Sequence, residues 1–490
     1  MISSTLIWIT LAVFAVVGGV IAFAAARSNK GTAADYYLGG RHLGGMVSGL
    51  SYAATTYSAF MLIVLTGLTY RGGIGALGFE LIYFSGLTLL VVFGPRFWLA
   101  ARKWGFITPA EMLGARYGSR NIARLTAVLS LVFLMPYCTT QMAGIGLLLS
   151  GVTGGGISLG MAIAIGAALA IFWTLVAGLR SVAWTDAVQA AVMLVSALLA
   201  VGFVVAAIGG VGAFAAEVKQ THGEWLDVPG PGLWSLPTFL ALAIPWFFFP
   251  LSNPQVSQRL FVTTDLAAMR RMVFWVLGFG LIFTLIAVIW GYAALVLMPD
   301  LDNPAGATPA LLGAGVVPVG VSLLLIVGIL SAAVSTLDSI ALTLGSMVAR
   351  DLMRQGEGRD ARQIFIGRVV VVAVVLFAAW FAVQSAPVVD QLAALSAAGL
   401  IVTVPATIGA FFWRGGTAWG VLASLVGGAG TAITMAMIMG VSVFDPKLAA
   451  TVIVVTVALF VGISLLTRPS ASALDFKGEL RKELDEYGVW

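Results

Sequence analysis

Gly328-Ile-Leu-Ser-Ala-Ala-Val-Ser-Thr-Leu-Asp-Ser339 sits inside an apolar run covering residues 316–348. It carries a carboxylate and a series of hydroxyls where a membrane helix would ordinarily carry hydrocarbon. On a helix, Ser331, Ser335, Asp338 and Ser339 share one face by i, i+3, i+4 spacing, with Ala332 and Thr336 on its flank. One reading is that the hydroxyls bond back to carbonyls one turn earlier. The other is a polar site, because hard cations require several oxygens, which hydroxyls, carbonyls and a carboxylate supply. The surrounding sequence decides whether this is a membrane helix.

Those surroundings are hydrocarbon-rich throughout. The 490 residues are 60% hydrophobic and 10% charged, against roughly 45–50% and 25% in soluble domains. So little charge cannot keep that much apolar surface in water, so the solvent is lipid. The 58 glycines suit helices that approach closely in a bilayer. The single cysteine, Cys138, excludes an internal disulfide and a Cys-based metal site. Apolar runs of about 20 residues predict thirteen spans, near 2–26, 45–70, 75–98, 123–149, 157–178, 183–210, 236–252, 272–298, 316–348, 366–386, 389–412, 418–440 and 448–467. The first reads as a true helix, since it is too long for a signal peptide and lacks a basic leading region.

The basic residues give the orientation. With the amino terminus outside, every Lys and Arg except Arg71, Lys219 and Lys447 falls in alternate loops or the tail, which then face the cytoplasm. This predicts a multi-pass protein of the inner (plasma) membrane with its carboxyl terminus inside. The formal charge of +5 is explained by loops such as 101–121 and 348–363 facing anionic lipid, without a nucleic-acid partner. Residues 475–490 read as a short amphipathic helix at the membrane surface.

Of 21 acidic residues, Glu80, Asp186 and Asp338 fall inside predicted spans. An ionised group at a helix centre costs at least about 2.5–3.5 kcal/mol on insertion scales. The predicted spans place no Lys or Arg at comparable depth, and Arg259 is assigned to a loop. A bound cation, a proton or water must therefore compensate, unless a protonated carboxyl simply bonds a neighbouring helix. In the second span, Ser51-Tyr-Ala-Ala-Thr-Thr-Tyr-Ser58 puts hydroxyls on every side, which predicts a broken helix lining a cavity. In the seventh, Ala243-Ile-Pro-Trp-Phe-Phe-Phe-Pro250 has prolines that prevent a regular ladder, and aromatics that either wall a substrate site or face lipid. His42 and His222 lie in separate loops and form no nucleophile or metal constellation, so an enzyme is not expected.

Four motifs together resemble the sodium:solute symporters, a family that includes sodium-coupled carriers of proline, pantothenate, sugars, sialic acid, iodide and monocarboxylates. They are Tyr36-Tyr-Leu-Gly-Gly-Arg41, Gly178-Leu-Arg-Ser-Val-Ala-Trp-Thr-Asp-Ala-Val-Gln189, Asn253-Pro-Gln-Val-Ser-Gln-Arg259, and Ser331-Ala-Ala-Val-Ser-Thr-Leu-Asp-Ser339 followed by Arg350-Asp351. The resemblance implies an all-α LeuT-type fold. It comprises a leading helix and loop (1–44), a first five-helix repeat (45–210), an extracellular loop (211–235), and an inverted second repeat (236–412). Two trailing helices (413–467) and a cytoplasmic tail (468–490) follow.

It also implies site residues. The family's common sodium site is similar to the carbonyls of Ala54, Tyr57 and Ala332 with the hydroxyls of Ser335 and Thr336. Asp186 resembles an acidic residue that assists a second cation site in some members, with Ser335 and Ser339 as its hydroxyl ligands. Asp338 stands where those members often have a hydroxyl, so it suits a cation or a proton. Candidate substrate residues are Thr55, Thr56, Ser58, Tyr137, Gln141, Trp246 and Phe249. Met135-Pro-Tyr-Cys-Thr-Thr-Gln-Met-Ala-Gly-Ile145 looks most like the monocarboxylate branch, whereas Thr56 replaces an aspartate of the proline carriers. The expectation is Na⁺-coupled symport of a small organic acid by alternating access, with the solute and the bilayer as partners. The alternatives are a proline, pantothenate or sugar symporter, or a carrier-fold sensor or channel.

Overall fold

A computed structural model describes residues 2–27, 31–231, 234–353, 360–385 and 388–488. Residues 354–359 of the basic loop and 489–490 of the tail lie outside the described residues. Among the described residues eleven helices are long and apolar enough to cross a membrane, and a bent pair, Gly45–Thr56 with Phe60–Gly72, makes a twelfth span. The thirteenth expected span falls short: region 236–252 forms a 12-residue helix and a separate turn.

The helices used below are α1 (Ser4–Ala26), α2 (Gly45–Thr56), α3 (Ile74–Gly86), α4 (Arg120–Val152), α5 (Leu159–Ala177), α6 (Leu179–Ala207), α7 (Leu236–Phe247), α8 (Leu266–Leu297), α9 (Val319–Met347), α10 (Asp360–Ser385), α11 (Val389–Leu400), α12 (Ala418–Ile433) and α13 (Pro446–Leu466). Polar caps start several of them. Ser158 accepts from the Met161 amide ahead of α5, and the Asp265 carboxylate accepts from the Ala268 amide at 2.7 Å ahead of α8.

Two breaks shape the centre. α2 ends at Thr56, Tyr57 takes φ −93° and ψ 83°, and the next helical stretch turns away by 46°. Ser58 Oγ accepts from the Phe60 amide at 3.1 Å, a local bond that competes with continuing the helix. The second break falls at Phe248, inside the proline-flanked run 243–250. Pro245 is accommodated inside α7, which runs to Phe247. Pro250 has no amide hydrogen to donate, and its ring would meet the carbonyl of Trp246, so the chain restarts in the short turns Phe249–Ser252 and Pro254–Ser257.

The broken segment is held by close helix contact. α2 packs on α8 and α6, and α6 runs along α9. Gly49 makes this possible: a Cβ there would lie 2.6 Å from Trp275 Cβ and 2.9 Å from the Met272 carbonyl. The carboxyl-terminal tail forms two short helices, Phe476–Glu479 and Arg481–Glu486. Phe476 is buried and stacks on Trp104 at 4.8 Å, and Lys103 pairs with Glu483 at 3.0 Å, so the tail docks on the protein.

Candidate functional site

The end of α2 meets the middle of α9. Ser335 Oγ donates to the Ala54 carbonyl at 2.9 Å, and also lies 3.2 Å from the Ala332 carbonyl. Thr336 Oγ1 reaches the carbonyls of Ala54 at 3.3 Å and Thr55 at 3.2 Å. These oxygens are buried and come from two different helices. The break frees carbonyls at the end of α2, and the hydroxyls of α9 face them. The set is chemically suited to a hard monovalent cation: neutral oxygen donors, no nitrogen and no sulfur. Tyr57, the residue at the break, is fully buried with its ring against Tyr83, Phe279 and Phe283.

A second polar layer lies one turn along α9. Ser51 Oγ donates to Asp186 Oδ2 at 2.7 Å, and Thr55 Oγ1 is 3.0 Å from Ser339 Oγ. Arg259 corrects the expectation that no basic residue reaches this depth. It is 3% exposed and donates from one nitrogen to Asp186 Oδ2 at 2.8 Å and to Ser339 Oγ at 2.6 Å. The polar run Asn253–Arg259 reads as a loop by composition, but after the proline break it turns inward, and Asn253, Gln255, Ser257 and Gln258 are buried with it. Asp338 is buried on α9, which packs on α5, and its Oδ1 has no hydrogen-bond partner.

The aromatic candidates converge beyond the break. Trp246 and Phe249 stack with ring planes 1° apart and centroids 5.3 Å apart. Tyr137 lies 6.2 Å from Trp246 and 6.3 Å from Phe249, and its hydroxyl is 3.1 Å from Ser58 Oγ. Gln141 Nε2 bonds back to the Tyr137 carbonyl, leaving its Oε1 unpartnered, as is the hydroxyl of Thr56. Thr55 does not join this group, because its hydroxyl points to α9 and to the Ser51 carbonyl. Phe60, 4.9 Å from Trp246, and Tyr83, 5.4 Å from both Trp246 and Phe249, complete the wall. Sequence reasoning passed over these two, since aromatics in an apolar run look the same whether they face lipid or a site.

Known proteins share this architecture. The chain is 26% identical over 415 residues to the high-affinity proline transporter PutP of Bacillus subtilis (strain 168), covering 82% of this chain and 86% of that protein. It is 25% identical over 424 residues to the osmoregulated proline transporter OpuE of the same organism, covering 81% and 82%. The structure superposes on a substrate-bound, outward-open Na⁺-coupled sialic acid symporter with TM-score 0.78 and 19% identity, over 94% of this chain and 98% of that one. It also superposes on a nucleobase-cation-symport-1 family transporter in a closed conformation with TM-score 0.52 and 17% identity, over 90% and 97%. The fold is therefore the all-α LeuT type. The Sodium:solute symporter family model matches residues 36–428, and the chain belongs to that family: a multi-pass membrane carrier of a small molecule with Na⁺ as its co-transported ion, and not an enzyme.

Proposed function

We propose that Na⁺ binds between α2 and α9, held by the carbonyls of Ala54, Tyr57 and Ala332 and the hydroxyls of Ser335 and Thr336. The observation that carries this reading is the convergence of the Ser335 and Thr336 hydroxyls on the carbonyls at the end of α2. A cation seated there accepts the oxygen lone pairs and ties the broken helix to α9. Because the two elements belong to different repeats, 45–210 and 236–412, the ion favours one arrangement of the repeats over the other. It shifts the access equilibrium only by its differential affinity for the two states. The membrane potential adds about 2.3 kcal/mol per charge per 100 mV in favour of cation entry. The amino terminus is outside and the carboxyl terminus in the cytoplasm of a plasma-membrane protein.

The solute occupies the aromatic wall, with Trp246 and Phe249 against its apolar part and Ser58, Thr56, Tyr137 and Gln141 supplying polar contacts. A small organic acid, such as a monocarboxylate, suits this mixture of hydroxyls and rings. A second reading, proline, is favoured by the names of the two Bacillus relatives, and is opposed by Thr56, which is not a carboxylate. Uptake into proteoliposomes under an inward Na⁺ gradient separates them. Labelled monocarboxylate should accumulate and proline should not compete; accumulation of proline alone would reverse the assignment. A carrier-fold sensor or channel would give no accumulation of either.

Asp186 and Ser339 are already engaged by the guanidinium of Arg259. The second cation site suggested for them therefore has a resident positive charge, and its remaining free oxygens are Asp186 Oδ1 and Asp338 Oδ1.

A further inference from the structure

The carboxyl-terminal tail sorts its side chains into rows four residues apart, each on its own face. Asp475, Glu479 and Glu483 form one row and pair with bases of the protein. Asp475 meets Arg414 at 2.9 Å, and Glu479 and Glu483 meet Lys103 at 3.7 and 3.0 Å. Phe476, Leu480 and Leu484 form the next row and are buried. Lys477 and Arg481 form the third and are exposed. The acids fasten the tail and the apolar row seats it, so the bases face something else.

That basic row lines a cavity of about 170 Å³ together with Arg96 of the helix Leu89–Trp104. Arg96 is 9% exposed and lies two turns before the end of the span Ile74–Trp104, roughly 12 Å along it at 1.5 Å per residue. Its guanidinium sits over the Phe412 ring, 5.0 Å from the centroid, and one of its nitrogens donates to the Val92 carbonyl. Lys477 Nζ donates to the Phe412 carbonyl at 3.1 Å. Three cations therefore share this small space with one carboxylate, Asp485, which lies 3.8 Å from Arg481. Like charges at such close quarters repel, and an anion held among them relieves the repulsion.

The surroundings specify which anion. The cavity is smaller than the roughly 300–1,000 Å³ of a solute site, and suits a single phosphate group. Phe476, Leu480 and Leu484 line it beside the bases, and Phe412 on its rim is 41% exposed. A soluble anion makes no use of that apolar surface. A phospholipid uses both parts, with its phosphate among the bases and its chains along the ring and the leucines. We propose that this cavity binds the phosphate of an anionic phospholipid, with Arg96, Lys477 and Arg481 as the donors. Lys477 keeps two of its three ammonium hydrogens for the phosphate, and Arg481 gives up its long contact with Asp485. The lipid then bridges the tail to Leu89–Trp104. The site is separate from the oxygens between α2 and α9 and does not depend on them.

The test uses the purified full-length protein in an uncharged detergent. Its thermal stabilisation is titrated with dioleoylphosphatidylglycerol, and separately with dioleoylphosphatidylcholine and with glycerol 3-phosphate. Phosphatidylglycerol should stabilise in a saturable way, and the other two should not at the same concentrations. Lys477→Gln with Arg481→Gln should need roughly ten-fold more phosphatidylglycerol for the same effect. Arg468→Gln with Lys482→Gln removes two charges as well, from exposed positions outside the cavity, and should respond as the wild type does. Arg96→Gln should weaken the response as the first pair does; because that pair is exposed, the test stands even if the buried variant does not fold. Equal loss in the two double variants would reduce the effect to diffuse surface attraction and overturn the proposal. So would stabilisation by phosphatidylcholine or glycerol 3-phosphate as strong as that by phosphatidylglycerol, or a wild type that none of the three stabilises.

Discussion

Arg259 and Asp186 form an ion pair at 2.8 Å with both side chains almost wholly buried. The arginine comes from the segment after the break in α7, and the aspartate from α6, so the pair ties the second half of the molecule to the first. Asp186 also accepts from Ser51 on α2. Removing one partner of a buried pair leaves an uncompensated charge, which costs about 3–5 kcal/mol, whereas replacing both by apolar groups is often neutral. Arg259→Met alone should thus lower the melting temperature markedly, and so should Asp186→Asn to a smaller extent. The double change Arg259→Met with Asp186→Leu should recover much of the loss. A double variant no more stable than Arg259→Met would show that the pair is not what holds these segments.

The aromatic wall gives a prediction about the solute. Tyr137→Phe removes the hydroxyl that meets Ser58 and leaves the ring in place. Its KM for the transported solute should rise several-fold, as the loss of about 1 kcal/mol from one hydrogen bond implies. Trp246→Ala removes the ring stacked on Phe249 and should abolish measurable uptake. Na⁺-dependent stabilisation should survive both changes, because neither residue touches the α2–α9 oxygens. Loss of the Na⁺ response in Tyr137→Phe would mean that the two sites are not separate.

Orientation can be read by thiol labelling. Cys138 is buried and should not react with a membrane-impermeant maleimide, so an introduced cysteine supplies the signal. Lys219 and Lys477 are both exposed. In intact cells Lys219→Cys should label, and Lys477→Cys should label only after the membrane is opened. The reverse pattern would invert the topology.

Much of this architecture is legible in the chain. Hydroxyls on every side of residues 51–58 announce a helix that cannot be regular, and the break falls at Tyr57. The hydroxyls of Ser335 and Thr336 meet the carbonyls of Ala54 and Thr55 before it, a pairing that the family resemblance suggests and that spacing alone does not. Other features depend on packing that spacing does not encode. Asp338 neighbours Ser339 on α9, yet Arg259 bonds Asp186 and Ser339 while Asp338 Oδ1 is left without a partner. Arg259 sits in a polar run that composition assigns to water; only the inward turn after Pro250 and Pro254 carries it to Asp186. Proline pairs followed by amides and an arginine were the available signal. The seventh span failed on length, because apolar content does not reveal where Pro250 stops the helix.

The central claim is that sodium binds where α2 breaks against α9, and it is tested most directly without knowing the solute. Thermal stabilisation of the purified protein is titrated with NaCl, with choline chloride holding ionic strength constant. The wild type should be stabilised by Na⁺ in a saturable way, as mass action requires of a ligand that binds the folded state. Thr336→Ala and Ser335→Ala, each lacking one ligand oxygen, should need about ten-fold more Na⁺ for the same effect, equivalent to about 1.4 kcal/mol, and the double variant should not respond. Equal Na⁺ responses in the wild type and the double variant would contradict the account.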